Sequence, residues 1–327
     1  MPVLPSSYQR APWYQFNGHL QTILPAMLRR VELSYQRERL ELADGDFLDL
    51  DWLRGGHRRL AILGHGLEGN AQRVYVRGMA EYLHAQGWDV LAWNCRSCSG
   101  EMNRTARLYY HGEIEDLGVV VAHALGDHAY DVATLIGFSM GGSMLLKYMG
   151  VHGDELHSAI IGGIAFSAPC DLAASVEALE YRGNGIYKKR FLKRLSQKMQ
   201  AKEQQFPGLL PVDRLPDIRH WEEFDTLFSA PVSGFDSPTA FYHSASAKNF
   251  MEGLRRPALL VNAVNDPILP EACTPVAMAR RMPDFFVEQP QQGGHVGFAL
   301  RGGRYWMEQR VTAFLAELGQ QGQLSVD

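Results

Sequence analysis

The chain has 327 residues, 46% of them hydrophobic and 21% charged, with a net charge of −4. That is ordinary globular composition, and the length allows a core that needs no disulfide staples. The balance excludes a nucleic-acid binder built on a basic stripe, and no run reaches the 18 apolar residues of a bilayer-spanning helix.

The four cysteines, at 95, 98, 170 and 273, are too few and too scattered for a disulfide framework. They fit a reducing compartment. Residues 1–20 lack a charged stretch followed by an apolar run, so they do not read as a signal peptide. A cytoplasmic protein is expected. Peripheral contact with a membrane or lipid surface stays open, and no obligate protein partner is implied.

Short apolar runs and helical stretches alternate along the chain. Residues 59–63 read as a buried strand, 71–86 as a helix stopped by Gly87, and 89–93 as a strand. Residues 113–125 are helical, with Ile114, Leu117, Val121 and Ala124 on one face. A strand at 132–138, a helix at 141–149 and a strand at 160–166 follow. Strands at 258–264 and 285–287 precede a closing helix at 305–318. Such alternation predicts an α/β fold, a mostly parallel central sheet with helices on both faces. Ligands of such sheets sit outside the carboxyl ends of the strands.

One region breaks the pattern. Residues 170–240 hold no strong strand; they are helical and basic at first, then rich in Pro, Asp and Phe. They read as a helical cap inserted into a single domain spanning 1–327, whose core comprises 1–169 and 241–327. The basic run Lys188, Lys189, Arg190, Lys193 and Arg194 fits a solvated helix face. Phe224, Phe228, Phe235 and Phe241 of the cap suggest an acyl-chain pocket.

The strongest motif is Gly137-Phe138-Ser139-Met140-Gly141, a G-x-S-x-G nucleophile elbow between a strand and a helix. Glycines two before and two after the serine remove side chains that would collide in so sharp a turn. A serine hydroxyl needs a base. Of 12 histidines, His295 has the right place, in a glycine-rich loop after the last strand. Asp266, after the preceding strand, fits the order Ser…Asp…His. Its role would be to fix the imidazole tautomer. Glu288 is the substitute acid.

An oxyanion hole needs two preorganised N–H donors. Met140 and Leu67 are the expected pair, the latter in the loop Gly64-His65-Gly66-Leu67-Glu68-Gly69. His65, which shapes that loop, Phe138 inside the elbow, and Cys95 after a strand are expected at the substrate-binding wall. No cofactor or metal is expected. Cys95-Arg96-Ser97-Cys98 is an isolated C-x-x-C, and His111…Asp116 matches a loose H-x-x-x-x-D spacing. The glycines at 64, 66 and 69 lack the acid that a dinucleotide site requires after the next strand.

With these residues on the page, the chain resembles the YheT-like branch of the α/β-hydrolases. The likeness is carried by Phe16-Asn17-Gly18-His19-Leu20-Gln21-Thr22-Ile23, the loop 64–69, Trp93 to Glu101, the serine elbow, Asn265-Asp266-Pro267 and Gly294-His295-Val296-Gly297-Phe298. It implies the α/β-hydrolase fold and a carboxylesterase or short-chain lipase activity without a cofactor. It also lends Ser139, Asp266 and His295 their triad roles. Ser97 departs from the pattern, standing where that branch is expected to carry glycine. The expected substrate is a small ester with a short- to medium-chain acyl group, or a lipid ester. Transfer of the acyl group to an alcohol is the alternative reaction, and a non-catalytic binding protein on the same fold is a third.

Overall fold

The computed structural model describes residues 2–126, 130–181, 184–303 and 305–320. The strands are β1 (Val3–Leu4), β2 (Gln36–Glu41), β3 (Phe47–Leu53), β4 (Arg59–Gly64), β5 (Asp89–Trp93), β6 (Val132–Phe138), β7 (Ile160–Phe166), β8 (Ala258–Val261) and β9 (Phe285–Glu288). They form one sheet in the order β1-β9-β8-β7-β6-β4-β5-β3-β2. All pairings from β5 across to β1 are parallel. The β2–β3 and β3–β5 pairings are antiparallel.

The sheet is buried on both sides because its central strands are apolar throughout. Leu60, Ile62, Leu91 and Leu135 face one core, and Ala61, Leu63, Val90 and Ile136 face the other. The period of two that separates these sets is the pleat itself. The β2–β3 hairpin is absent from the sequence reading, because both of its strands carry charges. Its register places Arg37 opposite Asp51 and Arg39 opposite Asp49. Each pair closes through two hydrogen bonds of 2.8–3.0 Å. Cross-strand guanidinium–carboxylate pairing is what lets Asp49 and Asp51 sit buried.

The helices are α1 (Gly18–Leu28), α2 (Val74–Ala85), α3 (Glu115–Gly126), α4 (Met140–His152), α5 (Leu172–Tyr181), α6 (Gly185–Gln205), α7 (Trp221–Phe224), α8 (Ala230–Val232), α9 (Pro238–Ala245), α10 (Val276–Ala279) and α11 (Trp306–Gln320). Helices α3 and α4 supply one core, α2 and α11 the other. Helices α5 to α9 lie between β7 and β8 and build a third apolar cluster with Ile268 and Leu269. This is the inserted helical cap, and α9 straddles the boundary expected at 240. Helix α6 ties the cap down through Lys198, which pairs with Glu68 at 2.6 Å, and Lys202, which donates to the Asn103 carbonyl at 2.8 Å.

Candidate active site

Strand β6 runs straight into α4, and Ser139 occupies the turn with φ 54° and ψ −122°. For a residue with a Cβ that conformation stores about 1–3 kcal/mol of strain. The turn is also crowded. A Cβ on Gly137 would lie 2.3 Å from the Gly141 carbonyl oxygen, and one on Gly141 would lie 2.5 Å from that of Gly64. The Ser139 N–H donates to the Phe166 carbonyl at 2.8 Å, anchoring the elbow to the neighbouring strand.

The loop after β9 delivers His295. Its Nε2 lies 2.9 Å from Ser139 Oγ and its Nδ1 lies 2.8 Å from Asp266 Oδ2. Asp266 is buried, and its other oxygen accepts the N–H groups of Ile268 and Leu269 at 2.8 and 3.2 Å. An ionised carboxylate can only accept, so Nδ1 carries the ring proton. Nε2 is then left as the acceptor for the serine hydroxyl. Val296 and Phe298 hold φ of 55° and 46° in this loop. Ser167 Oγ accepts the Val296 N–H at 2.9 Å and fixes the first of these conformations.

Helix α1 clamps both loops. Asn17 caps it, its side chain accepting the Leu20 N–H. Gly18 packs so tightly that an added Cβ would lie 2.0 Å from the Asn265 carbonyl oxygen. Gln21, buried, accepts from Asn265 Nδ2 at 2.9 Å and from the Gly293 N–H at 2.7 Å. Thr22 Oγ1 accepts the His295 N–H at 2.9 Å. Gln21, Thr22 and Asn265 are thus positioning residues that sequence reasoning missed. Their one signal was the resemblance of the block Asn17 to Thr22 and of Asn265-Asp266-Pro267.

The loop after β4 approaches from the other side. The Gly141 N–H donates to the His65 carbonyl at 3.0 Å. A Cβ on Gly66 would lie 3.0 Å from Ser139 Cβ. Met140 opens α4, where an N–H has no partner within the helix. Among the described residues no hydrogen bond takes up the N–H of Met140 or of Leu67. Two unpaired donors beside a serine hydroxyl are what a developing oxyanion requires.

The family described as the α/β-hydrolase fold matches residues 62–301. The chain belongs to the α/β-hydrolase family. It is 31% identical over 309 residues to the protein YheT of Escherichia coli (strain K12), covering 91% of this chain and 90% of that one. It is 26% identical over 308 residues to human phospholipase ABHD3, covering 91% and 75%. Among solved structures, the esterase Pf2001 of Pyrococcus furiosus superposes with a TM-score of 0.57 at 19% identity, over 88% of this chain and 95% of that one.

In this α/β-hydrolase, Ser139 and His295 lie where two cavities meet. The inner one, about 80 Å³, runs into the cap between Leu172, Val176, Leu179, Leu195, Met199 and Trp221. The outer one, about 320 Å³, lies between α1 and α6. Leu67 lines both. Of the four phenylalanines expected to form the acyl pocket, only Phe241 reaches the inner wall, where Phe191 of α6 joins it. Phe224 and Phe228 are fully buried against each other, and Phe235 packs on Phe241 and Tyr110.

Three expected wall residues are not on either cavity. Phe138 points into a core, stacked on Phe166 with Tyr75 at its other side. Cys95 is buried in the opposite core, where burial pushes its thiol well up. His65 is buried with Nε2 accepting the Cys95 N–H at 3.1 Å and Nδ1 donating to the Gly66 carbonyl at 2.8 Å. Burial lowers its pKa to about 4, so it is a neutral strut of the loop. An elbow motif fixes where a residue sits along the chain, whereas the pleat decides which way its side chain points.

The competing motifs resolve likewise. Glu288 is held by Arg310 at 2.6 Å and accepts the Ser7 N–H, far from the relay. All four cysteines are free and buried. Asp116 binds Arg96 through two hydrogen bonds of 2.8–2.9 Å, while His111 lines the inner cavity, so the H-x-x-x-x-D residues do not act as a pair. Ser97 has φ 59°, which is the physical reason a glycine is expected there. In the basic run Lys189, Arg190 and Lys193 are exposed as a solvated face requires, while Lys188 pairs with Glu180, Arg194 is half-buried, and Arg190 and Arg194 border the outer cavity.

Proposed function

We propose that this protein hydrolyses carboxylic esters through an acyl-enzyme on Ser139. The observation that carries this reading is the continuous line Ser139 Oγ, His295 Nε2, His295 Nδ1, Asp266 Oδ2, with links of 2.9 and 2.8 Å. Ser139 Oγ attacks the acyl carbonyl carbon, and its proton passes to His295 Nε2. The tetrahedral oxyanion takes the N–H groups of Leu67 and Met140, each of which contributes about 3–4 kcal/mol of transition-state stabilisation. The intermediate collapses as Nε2 returns the proton to the departing alkoxide. Water, activated by the same nitrogen, then attacks the acyl carbonyl and frees the acid.

The apolar inner cavity suits the acyl chain and leaves the outer one for the alcohol. Likeness to a phospholipase supports lipid esters among the substrates. Exposed Trp13, Phe16 and Ile186 support peripheral contact with the lipid surface that would carry them. Four unpaired thiols support a reducing compartment, and we place the protein in the cytoplasm.

The test is intact mass after exposure to a fluorophosphonate, on the native chain and on Ser139→Ala. One adduct on the native chain and none on the variant is expected, followed by release of free acid from an ester series with glycerol present. A native chain that stays unlabelled while folded would sink the reading. Acyl-glycerol as the main product would replace hydrolysis with transfer.

A further inference from the structure

The outer cavity is lined by four arginines and, among the described residues, by no aspartate or glutamate; Arg29 is already paired with Glu308 at 2.5 Å, which leaves Arg73, Arg190 and Arg194. These three pair with no carboxylate among the described residues; the side-chain partner of Arg73 and Arg194 is a backbone carbonyl. The nearest acid, Glu68, is already taken: its carboxylate binds Lys198 and the Tyr109 hydroxyl, both at 2.6 Å. What Glu68 offers the arginines is its backbone. With φ 52°, it turns a carbonyl that accepts from Arg73 Nη2 at 2.6 Å and from Arg194 Nη1 at 3.1 Å. One neutral oxygen thus gathers two permanent cations. Arg190 follows one turn before Arg194 on α6, a spacing at which like charges repel. The charge of Arg194 is disfavoured by burial first, and then by Arg73 and Arg190.

Three half-buried or exposed guanidiniums facing one space beside Ser139 lack only a counter-charge. We propose that the outer cavity binds an anionic group, a phosphate or phosphodiester, on the alcohol half of the ester. This rests on the proposed ester hydrolysis, in which Ser139 is the nucleophile and the apolar inner cavity takes the acyl chain, leaving the outer cavity to the alcohol. Guanidinium forks match phosphate oxygens two at a time through charge-assisted hydrogen bonds. The arrangement selects the ester by its leaving half, while the inner cavity selects it by its acyl half.

The experiment compares 1-octanoylglycerol with 1-octanoylglycerol 3-phosphate, both below their micelle-forming concentrations. We expect kcat/KM to favour the phosphate ester by roughly tenfold or more, the worth of one such hydrogen bond. The preference should shrink as salt is raised. In Arg190→Gln/Arg194→Gln the ratio should fall to within about twofold of unity. Lys189→Gln, an exposed cation of the same helix off the cavity, should keep the ratio. Equal kcat/KM for the two esters, or a ratio that survives the double variant, would overturn the proposal. So would a preference seen only on phosphatidylglycerol vesicles, which assigns the charges to surface docking.

Calorimetric titration of Ser139→Ala separates this inference from the esterase reading. Glycerol 3-phosphate should bind, more tightly than inorganic phosphate, and lose its binding when Arg190 and Arg194 are also changed to Gln. Inorganic phosphate binding equally well, with no preference between the esters, overturns the assignment to the alcohol half. If neither ester turns over while glycerol 3-phosphate still binds, the esterase reading fails and the anion site stands.

Discussion

Thr22 Oγ1 accepts the backbone N–H of His295 at 2.9 Å, and so the first helix of the chain holds the imidazole of the last core loop. The hydroxyl in turn donates to the Gly18 carbonyl at 2.7 Å. It is therefore oriented to accept and holds one rotamer.

Thr22→Val keeps the shape and removes that acceptor. The His295 N–H is left without a partner, a loss of about 1–3 kcal/mol. We expect kcat to fall roughly tenfold with KM little changed, because a small displacement of the base costs rate before it costs binding. Thr22→Ser should restore most of the rate. Steady-state kinetics on one ester, with thermal unfolding alongside, checks both. A drop in Tm with kcat intact would make Thr22 merely structural.

Acid should weaken the fold through His65. Burial lowers its pKa from 6.5 to about 4. Between those values the unfolded chain holds one more proton than the folded chain, so stability is lost as pH falls from about 6.5 to about 4. The full effect is about 3 kcal/mol. His111, lowered to about 4 by burial, adds to the loss in the same window. Urea unfolding at pH 7 and pH 5 measures it. His65→Gln takes up no proton and should show a shallower loss; an identical slope would remove His65 from the account.

Ser97→Gly should stabilise the protein. The residue holds φ 59°, a conformation that costs a side-chain-bearing residue about 1–2 kcal/mol and glycine little. The lost hydrogen bond from Ser97 Oγ to the Arg96 carbonyl and the freer unfolded chain offset part of this. A net gain of about 1 kcal/mol, or about 2 °C in Tm, is the expectation. An unchanged or lower Tm in calorimetry would show that the offsets win.

Leu179→Phe should shorten the preferred acyl chain. Leu179 is buried on α5 and lines the inner cavity. Extra bulk there excludes terminal methylenes, each worth about 0.8 kcal/mol of apolar burial. A C4 to C12 series of p-nitrophenyl esters should shift its kcat/KM optimum by roughly two carbons or more towards the short end. A uniform drop across the series would mean that the acyl chain lies elsewhere.

The central strands are legible because they are buried on both faces and read as unbroken apolar runs. Ser139, His295 and Asp266 are legible because each follows such a strand, beside glycine or proline that shapes a turn. The β2–β3 hairpin is not legible. Its Arg–Asp pairs cancel across the strands, and a single sequence shows only the charges. The clamp made by Gln21 and Thr22 depends on partners far along the chain, so no local pattern reports it. Arg190 and Arg194 look like solvent-facing cations, and only the packing of α6 beside α1 and the loop after β4 sets them on a cavity wall. Phe138 and Cys95 are misplaced by sequence because position along a strand says nothing of the direction of the side chain.

The hydrogen bond between Thr22 and His295 spans 273 residues, and those from Gln21 to Asn265 and Gly293 span 244 and 272. On the ribosome, Ser139 is made 156 residues before His295, while the partners of α1 are still unmade. During synthesis the elbow is thus chemically idle, and reactivity switches on only when residues beyond 295 emerge and find α1.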